Sequence, residues 1–412
     1  MAKALALAVR VSGALVGYLD REREGTVRFV PEESWLANHM YPRLGYGFLI
    51  DRRVRRSGTG LPAWFENLLP ERRSPLRQRV CRDLGLRDGQ STALLRSLGR
   101  VLPGAVEVLG NSDEIEDEDG PGVSPGALKV SLAGMQIKLS MVLSDDRLAV
   151  PARSDRGDWI VKLPGTRYPD LPQVEAATLG WAKHVGHDVP DVMTPALESL
   201  VGLPVDLTRG PPTVFAIRRF DRAADGTRVH QEDLAQVLEI EPEHKYGNTG
   251  PARTSYDGVG KLVLDACGSA QAEEYVRRLA FVVAAGNGDA HLKNWSFQWI
   301  EGHERPRLSP CYDLVADICW PEFGWESNGG PTLGLALGRC RELASLSTDA
   351  LDCFAKRSGI QNAKAVFLDA LDRARTSFRE VGATFPERMR RELPTHWGAV
   401  PLLRGVGPLE LE

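Results

Sequence analysis

The chain opens on two short alternating runs, VRVSGALVGYLD and GTVRFVP, in which apolar residues recur at every second position. Ser12-Gly13 supplies turn chemistry inside the first run, so residues 5–31 predict a strand hairpin followed by a further strand. Between 61 and 100 the period becomes helical, in WFENLLPERRSPLRQRVCRDLGL, with a break at Pro75. From 127 onward apolar runs of strand length return as ALKVSLAG, KLSMVL, RLAVPA and DWIVKLP, separated by turn residues. Pro172 to Glu175 then opens a helix that runs to about His184, with Gly186 as its cap. MTPALESLVG and PTVFAIRRFD predict two more strands, and after Asp221 helix dominates. QEDLAQVLEI, EEYVRRLAFVVAAG, LASLSTDALDCFAKRSG and NAKAVFLDALDRARTSFREVG all carry helical spacing. Among them GNGDAHLKN reads as a polar loop, WSFQWI as a strand and LSPCYDLVAD as a strand end.

This order predicts an α+β protein. A small N-terminal β-rich subdomain spans 1–110, an acidic Pro/Gly linker 111–126, a β-rich lobe 127–220 and a helical lobe 221–412. The linker rests on NSDEIEDEDG, which has six acids and no base, followed by PGVSPG.

Composition narrows the function. Of 412 residues 42% are hydrophobic and 26% charged, which fits a folded chain and argues against disorder. The net charge of -4 excludes a polycation built to coat nucleic acid, although residues 51–100 carry twelve Arg against five acids. No apolar run is long enough to predict a membrane span, and the first residues read as a strand, not a signal peptide. Six cysteines without a CxxC pair suggest neither a zinc site nor a disulfide framework, so a reducing cytoplasm is the expected compartment. Only ten of the 51 basic residues are Lys, so a Lys inside a motif is informative here.

Five segments carry candidate chemistry. In GDAHLKN, Asp289 and Asn294 have the Asp-x4-Asn spacing of a kinase catalytic loop, with Lys293 between them to face a transferring phosphoryl group. Asp313, nineteen residues past Asn294, is placed to be a second oxygen ligand for magnesium. Lys162 sits in the apolar run DWIVKLP, where burial demands a partner, and Glu175 follows on the first turn of the next helix. SLAGMQIKLS offers Ser131, a single glycine (Gly134) and Lys138 as phosphate contacts. FAIRRFDR, with Arg218 and Phe220, lies where the strand lobe meets the helical one, the place of an adenine-binding hinge. Each segment alone has a plain reading as a turn, a strand end or a solvent-facing lysine. Their order is what points to a kinase.

SLAGMQIKLS, WIVKLP, RRFDR-x7-HQEDL, GNGDAHLKNWSF and LSPCYDLV together resemble the HipA family of bacterial serine/threonine toxin kinases, and GALVGYLD, FENLLPE and LGRVLPGAVEV resemble its N-terminal domain. The resemblance implies a bilobal protein-kinase-like fold that uses ATP and Mg2+. It implies Asp289 as catalytic base, Asn294 and Asp313 as magnesium ligands, Lys162 on the nucleotide phosphates with Glu175 as its partner, and Arg218 to Phe220 as the hinge. Ser131 matches the serine that family members autophosphorylate, which flips its loop outward and stops activity. It also implies a HipB-like helix-turn-helix antitoxin, contact with operator DNA through that antitoxin, and an aminoacyl-tRNA synthetase as protein substrate. Two other readings remain. One is a kinase for a lipid or small molecule. The other is a regulatory binding protein that works through a DNA-binding antitoxin and needs no catalysis.

Overall fold

Ser12 and Gly13 both take positive φ, 48° and 79°. That is the conformation a tight hairpin requires, and it folds β1 (Leu7–Val11) back onto β2 (Ala14–Arg21). The structure, a computed structural model, describes residues 6–22, 26–52, 54–57, 60–110, 136–151, 157–165, 167–247, 254–320 and 330–410. The expected acidic linker, Ser131 and Gly134 lie outside the described residues. The chain divides into two units. The first holds 1–169, 193–243 and 297–302; the second holds 170–192, 244–296 and 303–412.

In the first unit β3 (Val27–Pro31), β4 (Arg55–Ser57) and β5 (Val106–Gly110) complete a sheet of order β4-β3-β2-β1-β5, antiparallel at every pairing. A second sheet runs β7 (Arg147–Ala149), β6 (Gln136–Ser144), β8 (Trp159–Pro164), β10 (Phe215–Arg218), with β9 (Val192–Met193) at its far edge. One hydrophobic core, from Leu7 to Ala216, underlies both sheets. Between β4 and β5 in sequence come the helices Ala63–Glu66, Pro75–Asp83 and Ser91–Ser97. Pro75 begins the second of these, where its missing N–H costs nothing.

Several arginines of the 51–100 stretch are committed inside this unit. Arg77 is fully buried and pairs with Glu66 at 2.9 Å. Arg55 reaches Glu239 at 2.6 Å, and Arg79 reaches Asp206 at 2.6 Å. Two further buried acids fasten the N-terminal segment to the strands that follow. Asp221 accepts from Gly104 N–H at 2.8 Å and pairs with Arg219 at 2.6 Å and Arg222 at 3.0 Å. Burial opposes its charge, yet the two guanidinium groups hold its carboxyl well below the usual carboxylate range. Glu232 accepts from Tyr46 N–H at 2.7 Å and from the Trp64 and Trp299 indoles at 3.1 Å each. With no cation among these donors, burial pushes it up to about 7.

Three segments depart from the sequence expectation. QEDLAQVLEI is helical only over Leu234–Val237, because Gln231 and Glu232 belong to the strand His230–Asp233. Asp233 then starts the helix by a reciprocal cap, accepting from Gln236 N–H at 2.9 Å. MTPALESLVG forms no continuous strand: Met193 ends the edge strand Val192–Met193, Ala196 and Val201 make isolated bridges, and Leu197–Ser199 turns between them. LSPCYDLVAD gives up its strand after Leu308, and Asp313 bends the backbone with a φ of 51°.

The second unit is mostly helix, packed around Trp181 of the helix Leu171–Val185. Gly186 ends that helix in the left-handed conformation, as its place after Val185 predicts. The Trp181 ring meets Phe281 at 5.0 Å, Phe378 at 5.6 Å and Phe385 at 5.8 Å. Truncating a ring so enclosed costs about 3–5 kcal/mol. Phe281 lies on Ser269–Ala285, a helix so buried that water cannot serve its last carbonyls. Side chains of the helix Glu387–Ala399 serve them instead: His396 Nε2 lies 2.8 Å from Val283 O, and Trp397 Nε1 donates to Ala284 O at 2.9 Å.

Burial favours a neutral ring at His396 and pushes its pKa down to about 4, although the bond to the Val283 carbonyl opposes the shift. A folded-state value below the ordinary 6.5 means that the native protein holds fewer protons than the unfolded chain between pH 4 and 6.5. The stability this site contributes is present above pH 6.5 and is lost as pH falls towards 4. His396→Gln keeps an N–H for Val283. Urea midpoints at several pH values should show the acid-side slope reduced by about one proton; an unchanged slope would contradict this assignment.

Candidate active site

The helix Ser269–Ala285 stops at Gly286, whose φ is 63°. Asn287 N–H returns to Val282 O at 3.0 Å, closing a left-handed C-cap turn. A Cβ at position 286 would lie 2.7 Å from Ile318, so glycine is required by both conformation and space. Gly288 N–H donates to Asp317 Oδ1 at 2.8 Å. Burial pushes the Asp317 carboxyl well above its ordinary range, against the donors around it.

Asp289 is held by its own backbone from both sides. Its N–H donates to Asn287 Oδ1 at 2.9 Å. Its carbonyl accepts from His291 N–H and from Asn294 Nδ2, both at 2.7 Å. The carboxylate itself is half exposed, and Oδ1 accepts from the Tyr246 hydroxyl at 2.6 Å. Because the Asn294 nitrogen is spent on that carbonyl, the amide oxygen is the end presented to a ligand. The backbone carbonyl of Lys293 accepts from the Tyr312 hydroxyl at 2.9 Å, and the same hydroxyl lies 2.5 Å from Ser296 Oγ. Tyr312 thereby ties the Asp289 loop to the bend at Asp313. A cavity of about 20 Å³ opens between Asn287, Asn294, Tyr312 and Asp313, room for about one water or small ion.

An amide oxygen and a carboxylate suit a hard cation such as magnesium. Among the described residues no group of three or more His, Cys, Asp or Glu side chains could hold a metal alone. A cation here would share its shell with substrate oxygens and water, which is how magnesium sits at phosphoryl-transfer sites.

The first unit carries the candidate phosphate-binding lysines. Lys162 on β8 pairs in register with Lys138 on β6 and with Phe215 on β10. Residues directly opposite share a face, so two ammonium stems rise side by side. Lys162 is 4% exposed, and its Nζ lies 5.1 Å from the centre of the Phe215 ring. Like charges placed opposite repel unless an anion joins them. At the end of β10, beyond Arg218, Arg219 N–H donates to Asp158 O at 2.7 Å and Phe220 O accepts from Gln298 Nε2 at 3.0 Å, so part of this strip's backbone is already committed. Glu175 belongs to the second unit, where it is buried on the helix Leu171–Val185.

Asp289, Lys293, Asn294 and Asp313 thus gather around one loop system, and Lys138 and Lys162 share one face of a sheet. Sequence reasoning missed Tyr246, Asn287 and Asp317. Asn287 and Asp317 had a signal, since each stands within four residues of a singled-out Asp. Tyr246 had only an aromatic residue in an otherwise polar loop.

A five-stranded sheet bearing paired lysines, together with a helical unit bearing an Asp-x4-Asn loop, defines an α+β, protein-kinase-like fold, the class expected from the sequence. The sequence model of the HipA-like C-terminal domain matches residues 130–383, and that of the HipA N-terminal domain matches 7–109. The chain belongs to the HipA family of kinases. A protein of Sinorhizobium fredii named as kinase Y4dM is 34% identical over 96% of this chain and 94% of its own. The serine/threonine-protein kinase toxin HipA of Shewanella oneidensis is 25% identical over 67% of this chain and 69% of its own. The solved structure of HipA with HipB and operator DNA, also from Shewanella oneidensis, superposes with a TM-score of 0.71 at 21% identity, covering 97% of this chain and 99% of that one.

Replacing Gly286 by Ala should cost about 1–3 kcal/mol in urea unfolding, from strain at positive φ plus the clash with Ile318. ATP turnover should fall further than that loss explains, because the Asp289 loop starts from this residue. Wild-type stability in the variant would refute the strain argument.

Proposed function

We propose that the chain is an ATP- and Mg2+-dependent serine/threonine protein kinase, the toxin of a HipA/HipB-like module. The observation that carries this reading is Asp289: its backbone is fixed on both sides while its carboxylate stays half exposed. In the proposed reaction a substrate hydroxyl gives its proton to Asp289. The oxygen bonds to the γ-phosphorus, and the bond from that phosphorus to the β–γ bridging oxygen breaks, leaving ADP. Lys162 and Lys138 hold phosphate oxygens, with Glu175 as the partner that orients Lys162. Lys293 offsets charge on the transferring group. Asn294 and Asp313 would ligate magnesium, which supplies charge neutralisation at the phosphates. Arg218 to Phe220 form the adenine hinge.

In this reading residues 1–110 form the N-terminal subdomain and 111–126 a linker. A kinase N-lobe spans 127–220 and a helical C-lobe 221–412. Ser131 is the autophosphorylation site. The partner is a HipB-like helix-turn-helix antitoxin through which the chain meets operator DNA; the structural neighbour from Shewanella oneidensis, solved together with HipB and operator DNA, supports this. The substrate is a translation component of the aminoacyl-tRNA synthetase class, and the compartment is the cytoplasm. No described helix is long and apolar enough to cross a membrane.

The test is intact mass after incubation with MgATP for wild type, Asp289→Ala and Ser131→Ala. One added phosphate on wild type alone supports both catalysis and the serine switch. Phosphate on Ser131→Ala but not Asp289→Ala keeps the kinase and removes Ser131. ATP turnover by Asp289→Ala should fall about 10²–10⁴-fold. No transfer by wild type that binds ATP would favour a regulatory binding protein.

A further inference from the structure

The segment before the helix Tyr256–Cys267 is tied to the Asp289 loop at three points. Leu292 N–H donates to Lys245 O at 3.1 Å. The ring of Tyr246 meets the ring of His291 edge-on, with centroids 5.1 Å apart. The Tyr246 hydroxyl donates to Asp289 Oδ1 at 2.6 Å. The tyrosine is itself held in place. Gly247, at a φ of 64°, closes the turn by donating to His244 O at 2.9 Å, and a Cβ there would lie 2.5 Å from Thr254 O. His291 Nε2 stays 3.9 Å from the same carboxylate oxygen, beyond hydrogen-bond distance. Among the described residues, the phenol is the side-chain donor within reach of the Asp289 carboxylate.

We propose that Tyr246 is a positioning residue for phosphoryl transfer. Its hydroxyl occupies one oxygen of Asp289 and sets the plane of the carboxylate, so that the other oxygen faces the substrate hydroxyl. The backbone bonds at Asn287, His291 and Asn294 place the Asp289 main chain but leave side-chain rotation open. The phenol removes that freedom. A base free to rotate spends less time aligned with the proton it must take, which lowers the rate of the chemical step without loosening ATP. The inference rests on the kinase reading above.

The experiment compares wild type with Tyr246→Phe, which keeps the ring against His291 and removes only the oxygen. Total turnover of the ATP γ-phosphate, to protein or to water, is followed with ATP varied, well below the lower of the two unfolding midpoints. The maximal rate should fall about 10–100-fold, with half-saturating ATP unchanged within about twofold. A purely structural tyrosine would lower the unfolding midpoint and weaken ATP saturation together, and that result would overturn the proposal. So would an unchanged rate. A faster variant would show the phenol to be a plug standing where the substrate hydroxyl belongs. Phosphate on Tyr246 in wild type would show it to be an acceptor. If wild type turns over no ATP, the kinase reading falls and takes this role with it; if wild type is active and the variant equals it, only Tyr246 falls.

Discussion

A buried helix cannot leave its last carbonyls without donors, and the helix Ser269–Ala285 ends buried within its unit. Everything at the candidate active site follows from how that end is satisfied. Asn287 N–H, His396 and Trp397 take the carbonyls of Val282, Val283 and Ala284. Gly286 turns the chain in the only conformation that permits this, and Ile318 N–H donates to its carbonyl at 3.2 Å. The chain therefore leaves the helix in one direction only. Asn287, Gly288 and Asp289 follow as a loop whose polar groups are nearly all spoken for, with one carboxylate left facing outward. Pre-organisation of this kind favours chemistry, because the groups need not rearrange when charge moves.

The first unit uses buried carboxylates in a different way. Glu66, Asp221 and Glu232 each lie below the surface; Glu66 gathers nearby donors, while Asp221 and Glu232 reach distant parts of the sequence. Glu66 and Asp221 answer arginines, whose planar forks make several bonds at once. Glu232 answers two indoles and a backbone N–H, so its charge is the less comfortable of the three. Glu66 takes Arg72 and Arg77 of the arginine-rich stretch, while Asp221 and Glu232 fasten the N-terminal segment to the strands after it. Lys138 and Lys162 stand beside each other on one face of the second sheet.

Local structure was legible wherever a residue type can do only one thing. Ser12-Gly13 meant a hairpin, Pro75 a break in the helical run and Gly186 a helix end; the hairpin and the helix end stand there, and a new helix begins at Pro75. Legibility failed where a side chain had a choice. Gln231 and Glu232 fit a helical pattern, yet Glu232 is pulled into a strand by donors from Tyr46, Trp64 and Trp299, none near it in sequence. The apolar run MTPALESLVG fits a strand, yet the turn at Leu197–Ser199 breaks it into the end of a two-residue edge strand and isolated bridges. At the candidate site the Asp-x4-Asn spacing was visible, while Tyr246 was not: a tyrosine forty-three residues away carries no mark of the carboxylate it will meet.

By itself, the sequence determined the class of protein and marked the residues proposed for phosphoryl chemistry. Hydrophobic period, turn residues and motif spacing are properties of neighbours along the chain, and neighbours are what a sequence displays. Only the tertiary structure decided which of those residues are held and by what. Which carbonyls His396 and Trp397 serve, which oxygen of Asp289 is occupied, and which lysines share a face depend on groups brought together by burial. Burial is decided by the whole fold, because a polar atom removed from water must find its partner wherever the packed chain happens to offer one.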